Sequence, residues 1–181
     1  MKVTAFLAAP GKVDKLPELT PSFKLVKDAN ALKASIDSQR GESSDPYTVF
    51  EVEVNINRTF VNDRKGSYIK LQLIEDLMGR DFAIRFAVRN EHEVQKTPHY
   101  KKVRELNPGV TLRTLLKDTL PVLPDVDMRP ETVFGNAQIV ERLIKEGYDG
   151  ASILGLDEFD GVPMYFAFSQ EQLKIKRGQQ A

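Results

Sequence analysis

The last quarter of the chain, Glu131 to Lys176, constrains the fold most. A helical pattern there stops at a glycine and gives way at once to two short apolar runs. Ile139, Val140, Leu143 and Ile144 fall on one face at helical spacing, while Glu141, Arg142 and Lys145 fall on the other. Gly147 stands just past the last periodic residue, where glycine alone takes positive φ without a Cβ clash. Ala151 to Leu154 is expected as a strand, Gly155 to Val162 as a turn, and Met164 to Phe168 as a second, aromatic strand. Within the turn, Asp157, Glu158 and Asp160 read as a solvated acidic stretch, because the glycine spacing does not match a helix-loop-helix calcium site.

Upstream, Thr48 to Ile56 is the cleanest strand. Phe50, Val52, Val54 and Ile56 share one face, and Val49, Glu51, Glu53 and Asn55 share the other. Met1 to Pro10 carries one positive charge and an apolar run too short for a signal peptide, so it reads as a buried first strand. Gly11 to Pro21 reads as a loop, and Gln39 to Pro46 as a linker-like stretch. Asp28 is placed to cap a helix carrying Leu32 and Ile36 on its buried face. Ser67 is placed to cap a second helix with Ile69, Leu73 and Leu77 inward and Gly79 as its stop, although Tyr68 to Ile74 also tolerates a strand. Phe82, Ile84, Phe86 and Val88 alternate with polar or small residues and predict a strand. Arg89 to Arg104 is polar and reads as a surface excursion. Thr111 to Leu120 predicts a helix through Leu112, Leu115 and Leu116, broken at Pro121-Val122-Leu123-Pro124.

Composition narrows function mainly by exclusion. With 181 residues and 41% hydrophobic content, the chain can bury one real core and is expected to form a single domain, 1–181. Twenty-six basic residues against 26 acidic ones leave no net field to steer it towards nucleic acid or an anionic membrane. No apolar run is long enough to span a bilayer, so a soluble protein is expected. The lack of cysteine removes disulfides, thiolate metal sites and cysteine nucleophiles. His92 and His99, seven residues apart with Pro98 between them, have no third ligand at a standard spacing and read as surface imidazoles. Lys96, Lys101, Lys102 and Arg104 cluster around Tyr100 but are diluted by Glu91, Glu93 and Glu105, which favours a solvated face over a nucleic-acid contact. There is no phosphate-binding glycine loop, Gly-x-Ser-x-Gly elbow or His-Glu-x-x-His helix.

One order of features carries a family resemblance: a helix, Gly147-Tyr148-Asp149-Gly150, a strand, an acidic loop, an aromatic strand, and Phe168 followed by Gln172-Leu173-Lys174. It resembles the C-terminal half of ADP-ribosyltransferase-like domains, above all those of phages and mobile elements. Val49 to Asn57, followed by Phe60-Val61-Asn62-Asp63, looks like that family's central strand and the asparagine turn after it. About half the chain is covered. The resemblance implies an α+β fold of split antiparallel sheets with flanking helices. The Phe82 to Val88 strand and the long segment to Pro130 depart from the family pattern, so an insertion around 80–130, serving a partner interface, is expected.

For function, the resemblance implies an NAD site and then removes most of it. The family's first strand normally delivers a His or Arg to the NAD ribose and phosphates, whereas Leu7, Ala8 and Ala9 stand there in this chain. Ser22 and Lys24 are the nearest candidates for cofactor binding, with Lys12 as another cation, and Glu171 and Gln172 for catalysis. A carboxylate at that place would stabilise a cationic ribose, and a glutamine could only hydrogen-bond one of its hydroxyls. Tyr148 and Asp149 are carried over as architecture, the ring packing and the carboxylate satisfying backbone donors. Two functions follow from the resemblance. One is a non-enzymatic scaffold without cofactor that binds a protein partner, encoded by a phage and working in the host cytoplasm or the virion. The other is a divergent NAD-dependent transferase modifying a protein or nucleic acid.

Overall fold

The computed structural model describes residues 1–16, 21–40, 45–63, 68–94, 97–118, 126–155, 159 and 161–180. In chain order the elements are β1 (Lys2–Pro10), β2 (Phe23–Val26), α1 (Ala29–Arg40), β3 (Tyr47–Asn55), β4 (Thr59–Asp63), β5 (Ile69–Lys70), α2 (Leu71–Met78), α3 (Arg80–Arg89), α4 (Glu91–Val94), α5 (Pro98–Leu106), α6 (Leu112–Asp118), β6 (Asp127–Met128), α7 (Pro130–Phe134), α8 (Ala137–Lys145), β7 (Gly150–Leu154), β8 (Pro163–Ala167) and β9 (Leu173–Gln180). The architecture is α+β, a large, mostly antiparallel sheet with helices. It divides into two units, Met1–Ser67 with Leu143–Ala181, and Tyr68–Arg142.

The first unit holds a seven-stranded sheet in the order β4-β7-β8-β2-β1-β3-β9, in which β4 and β7 are the parallel pair. β1 and β3 pair along their whole length, from Lys2 with Asn55 to Pro10 with Tyr47, and β2 pairs with β8 from Phe23–Ala167 to Val26–Met164. Between these two halves the ladder narrows to one register pair, Phe6 with Val26. The chain itself demands this near split. β3 and β4 lie five strand spacings apart in the sheet order, about 24 Å if the sheet were flat. Yet only Ile56, Asn57 and Arg58 join them, and four extended steps reach about 14 Å. The sheet must therefore bend until the end of β3 meets the start of β4, as the resemblance to a split-sheet fold implies.

Strand faces follow the sequence pattern. Phe50, Val52, Val54 and Ile56 of the β3 segment are buried, as their alternation predicts, together with Ala5, Leu7 and Ala9 of β1 and Phe23 and Leu25 of β2. Asp28 caps α1, its Oδ1 accepting the Ala31 N–H at 2.8 Å. Leu32 is buried, whereas Ile36 is half-buried. Phe60 to Asp63 is strand β4 and not the expected asparagine turn; the turn falls earlier, at Asn57 and Arg58. The acidic residues Asp157, Glu158 and Asp160 lie outside the described residues, as do Pro121 to Pro124.

The second unit corrects several expectations. Phe82 to Val88 is not a strand but the centre of α3. Its buried residues, Ala83, Ile84, Phe86 and Ala87, sit at helical spacing, and the alternation disappears once both alanines are counted as core. Phe82 and Phe86 stack at 6.0 Å, one turn apart, and the Asn90 amide donates to the Phe86 carbonyl to close the helix. α2 starts at Leu71 without a side-chain cap, and its buried residues are Leu71 and Ile74 while Leu73 is exposed; Ser67 lies outside the described residues. Gly79 ends it at φ 85° as expected. The polar stretch after Arg89 is not a surface excursion: it folds as α4 and α5, with Val94, Thr97, Tyr100 and Val103 buried. Thr97 caps α5 through its hydroxyl, and Pro98 occupies the first turn, where its missing N–H has no cost. Leu112, Leu115 and Leu116 of α6 are buried as predicted.

Two outcomes test this packing. A Cβ on Gly150 would meet the Phe166 carbonyl oxygen at 2.5 Å and Ile56 Cδ1 at 2.8 Å. Gly150→Ala is expected to lower stability by about 1–3 kcal/mol. Gly178→Ala, whose nearest neighbour would be a Phe50 ring carbon at 3.4 Å, should stay within about 0.5 kcal/mol in urea unfolding. In the second unit, burial raises the pKa of Tyr100 to about 12, helped by the bond its hydroxyl donates to Glu91 at 3.0 Å. The neutral phenol thus stabilises the fold fully below pH 10, and that contribution is lost as pH rises towards about 12. Ultraviolet titration should show a tyrosine ionisation near pH 12 that Tyr100→Phe removes.

Candidate functional site

The corner where the two half-sheets meet is built by α8 and the turn after it. Asn136 caps α8 through Oδ1, which accepts the Ile139 N–H at 3.1 Å. Gly147, at φ 83°, ends it: the Gly147 N–H bonds the Ile144 carbonyl and the Tyr148 N–H bonds the Leu143 carbonyl, both at 2.9 Å. This reversal delivers Tyr148 and Asp149 to the start of β4. The Asp149 carboxylate accepts the Asn57 N–H at 2.9 Å and the Arg58 N–H at 2.8 Å, and the Asp149 N–H donates to the Arg58 carbonyl at 3.0 Å. Tyr148 packs edge-on against Phe60 at 5.4 Å, with the Arg58 guanidinium 4.6 Å from its ring centre. The roles that the resemblance implies for this pair, packing and backbone satisfaction, are the ones observed.

Beside this corner opens a cleft of about 320 Å³ lined by Asn55, Asn57, Ile144, Tyr148, Asp149, Phe168, Ser169, Glu171 and Gln172. Two of the sequence-predicted residues, Glu171 and Gln172, meet here on a single 3₁₀ turn, Gln170–Gln172. The Gln172 amide is engaged through both its oxygen and its nitrogen. Its oxygen accepts the N–H groups of Phe168 and Ser169 at 3.0 and 2.9 Å, and its nitrogen donates to the Asn55 carbonyl at 3.1 Å. Ser169 completes a capping box by accepting the Glu171 N–H. Glu171 is exposed at the rim.

Ser22 and Lys24 are not among the residues that line this cleft. Ser22 precedes β2, and Lys24 lies within it with Nζ 4.7 Å from the centre of the Phe159 ring. Leu7 and Ala9 are 3% exposed and belong to the core. Among the described residues no Lys or Arg lines the cleft, and its charged side chains are two carboxylates, Asp149 and Glu171. To the pyrophosphate of NAD the described lining offers no cation, only the neutral amides of Asn55, Asn57 and Gln172 beside two carboxylates. They suit a cation beside an apolar surface, since Ile144, expected in the core, is 48% exposed and forms one wall.

Sequence reasoning missed Asn55, Asn57 and Ile144. Asn55 could have been found as the polar end of the cleanest strand; Ile144 had no signal, because its helical spacing matches its buried neighbours. His92 is exposed, with Nε2 3.3 Å from Glu93, and no group of potential metal ligands occurs among the described residues. No helix among them is long and apolar enough to cross a membrane.

No known family model and no curated protein sequence matches the chain. Among solved structures, it is similar to a chain in the crystal structure of the M.tuberculosis MbcT-MbcA toxin-antitoxin complex, with 12% identity, 100% of this chain and 85% of that one covered, and a TM-score of 0.42.

The corner and the rim make opposite predictions. Asp149→Ala leaves two exposed amide donors to water in place of a charged acceptor and is expected to cost about 0.5–2 kcal/mol. Glu171→Ala, at an exposed position, should change stability by no more than about 0.5 kcal/mol in chemical denaturation.

Proposed function

We propose that this chain is a non-enzymatic binding protein that uses an ADP-ribosyltransferase-like fold as a scaffold, and that its cleft receives a basic side chain of a protein partner. The carrying observation is the cleft's lining, which among the described residues has two carboxylates, exposed Ile144 and no cation. Asp149 is committed to the backbone, so Glu171 is the group left to pair with a partner's Lys or Arg. Ile144 supplies the apolar surface that a long cationic side chain covers with its stem. No cofactor is required for this role. A phage or mobile-element origin, with work in the host cytoplasm or virion, rests on the sequence resemblance alone and joins the proposal on that footing. An insertion around 80–130 within a single domain is likewise part of the proposal, on the sequence resemblance.

A second reading, a divergent NAD-dependent transferase, is favoured by one observation, the exposed Glu171 carboxylate at the cleft rim. The two part on product chemistry. Incubation with NAD and cell lysate, followed by mass spectrometry, is expected to show no released nicotinamide and no added ADP-ribose. Adducts that Glu171→Ala abolishes would establish the transferase instead. For the scaffold, Glu171→Arg is expected to weaken capture of a co-purifying partner by roughly tenfold or more. Unchanged capture would remove Glu171 from the interface.

A further inference from the structure

The second unit carries a concave groove of about 430 Å³ between α3 and α6. Its rim holds four cations, Arg85 and Arg89 on α3, Arg113 and Lys117 on α6. Each pair is spaced by four residues, so the Cβ atoms of a pair sit one above the other on a helix face, about 5–6 Å apart. All four side chains are exposed, and none forms an ion pair among the described residues. Like charges at this spacing destabilise a helix by a few tenths of a kcal/mol per pair. Two such rows facing one groove make a local concentration of positive charge that an anion would relieve.

The two helices that frame the groove are joined to each other. Arg80 bonds Glu75 at 3.3 Å and donates to the Leu116 carbonyl at 3.0 Å, tying the start of α3 to the middle of α6. Ile84 and Val88 give the groove an apolar wall, and Asp81 places one carboxylate at its end. The volume lies within the range of small-molecule sites, which combine apolar lining with a few convergent polar groups.

We propose that this groove binds a nucleotide-sized organic phosphate, with the arginines gripping the phosphates, the apolar wall supporting the organic part, and Asp81 accepting from a hydroxyl or amine. Two arginines and a third across the groove suit a phosphate better than lysines would, since guanidinium forks bind phosphate oxygens in pairs. A nucleic-acid strand fits less well: the site is a pocket rather than a track, no aromatic side chain lines it for base stacking, and the chain has no net positive charge.

The test is calorimetric titration of the full chain at low salt with ADP, adenosine, inorganic tripolyphosphate and a short single-stranded oligonucleotide. Saturable one-to-one binding of ADP is expected, weakened by added salt and reduced by roughly tenfold or more in Arg85→Glu with Arg113→Glu. Adenosine alone should not bind. Should that double variant fail to fold, Arg113→Gln with Lys117→Gln makes the same comparison at two exposed positions of one helix. No saturable binding of ADP, binding undiminished in a folded charge variant, tripolyphosphate binding as tightly as ADP, or oligonucleotide binding tighter than ADP would each overturn the proposal, the last in favour of nucleic acid.

Discussion

A single carboxylate closes the bend on which the first unit depends. Asn57 and Arg58 turn the chain between two strands that occupy distant places in the sheet order, and their N–H groups have no ladder to join. Asp149, 92 and 91 residues away, accepts both. The arrangement resembles a helix cap transferred to a sheet corner: a charged oxygen pair meets two convergent backbone donors, the strongest form of this bond. Around it, Gly150 lets Ile56 approach the backbone, and the Gln172 amide fixes the end of β3 to the turn before β9. Remove the carboxylate, and the two half-sheets lose the clasp at which they meet.

The same commitments decide what the cleft can do. Polar groups in a fold are often counted as available chemistry, yet Asp149 and Gln172 face the cleft and are already used by the backbone. Only Glu171 presents a charge outward. The charge pattern of the chain is divided, with an acidic cleft in one unit and a basic groove in the other, so a net charge of zero conceals two local fields of opposite sign.

Legibility in the sequence followed how local the determinants were. The stop at Gly147, the cap at Asp28 and the faces of β3 depend on a few neighbouring residues, and they were readable. α3 was not, because alanine carries little pattern: treated as small, Ala83 and Ala87 leave an alternating strand, and treated as apolar they complete a helix stripe. α5 was obscured in the same way by Lys101, Lys102 and Arg104, whose charges surround a buried Tyr100 and Val103. At the site, Glu171 and Gln172 were found through motif order. The engagement of Gln172 could not be, since its partner Asn55 lies 117 residues away.

That separation has a consequence for how the protein is made. The first unit is assembled from the chain's two ends, while 68–142 is continuous. A nascent chain synthesised only as far as Arg142 carries the whole of the second unit, but lacks β7, β8 and β9 and leaves β2, β3 and β4 with open edges. Closing the sheet then means joining segments across a long loop, an entropic cost that grows only slowly with length but is met before any of these pairings form. During that interval β3 has β1 on one side but no β9 on the other, and such an open edge is the kind of surface that draws chains together. Until β9 is synthesised, that edge stays open, so the interval is a period of vulnerability to aggregation.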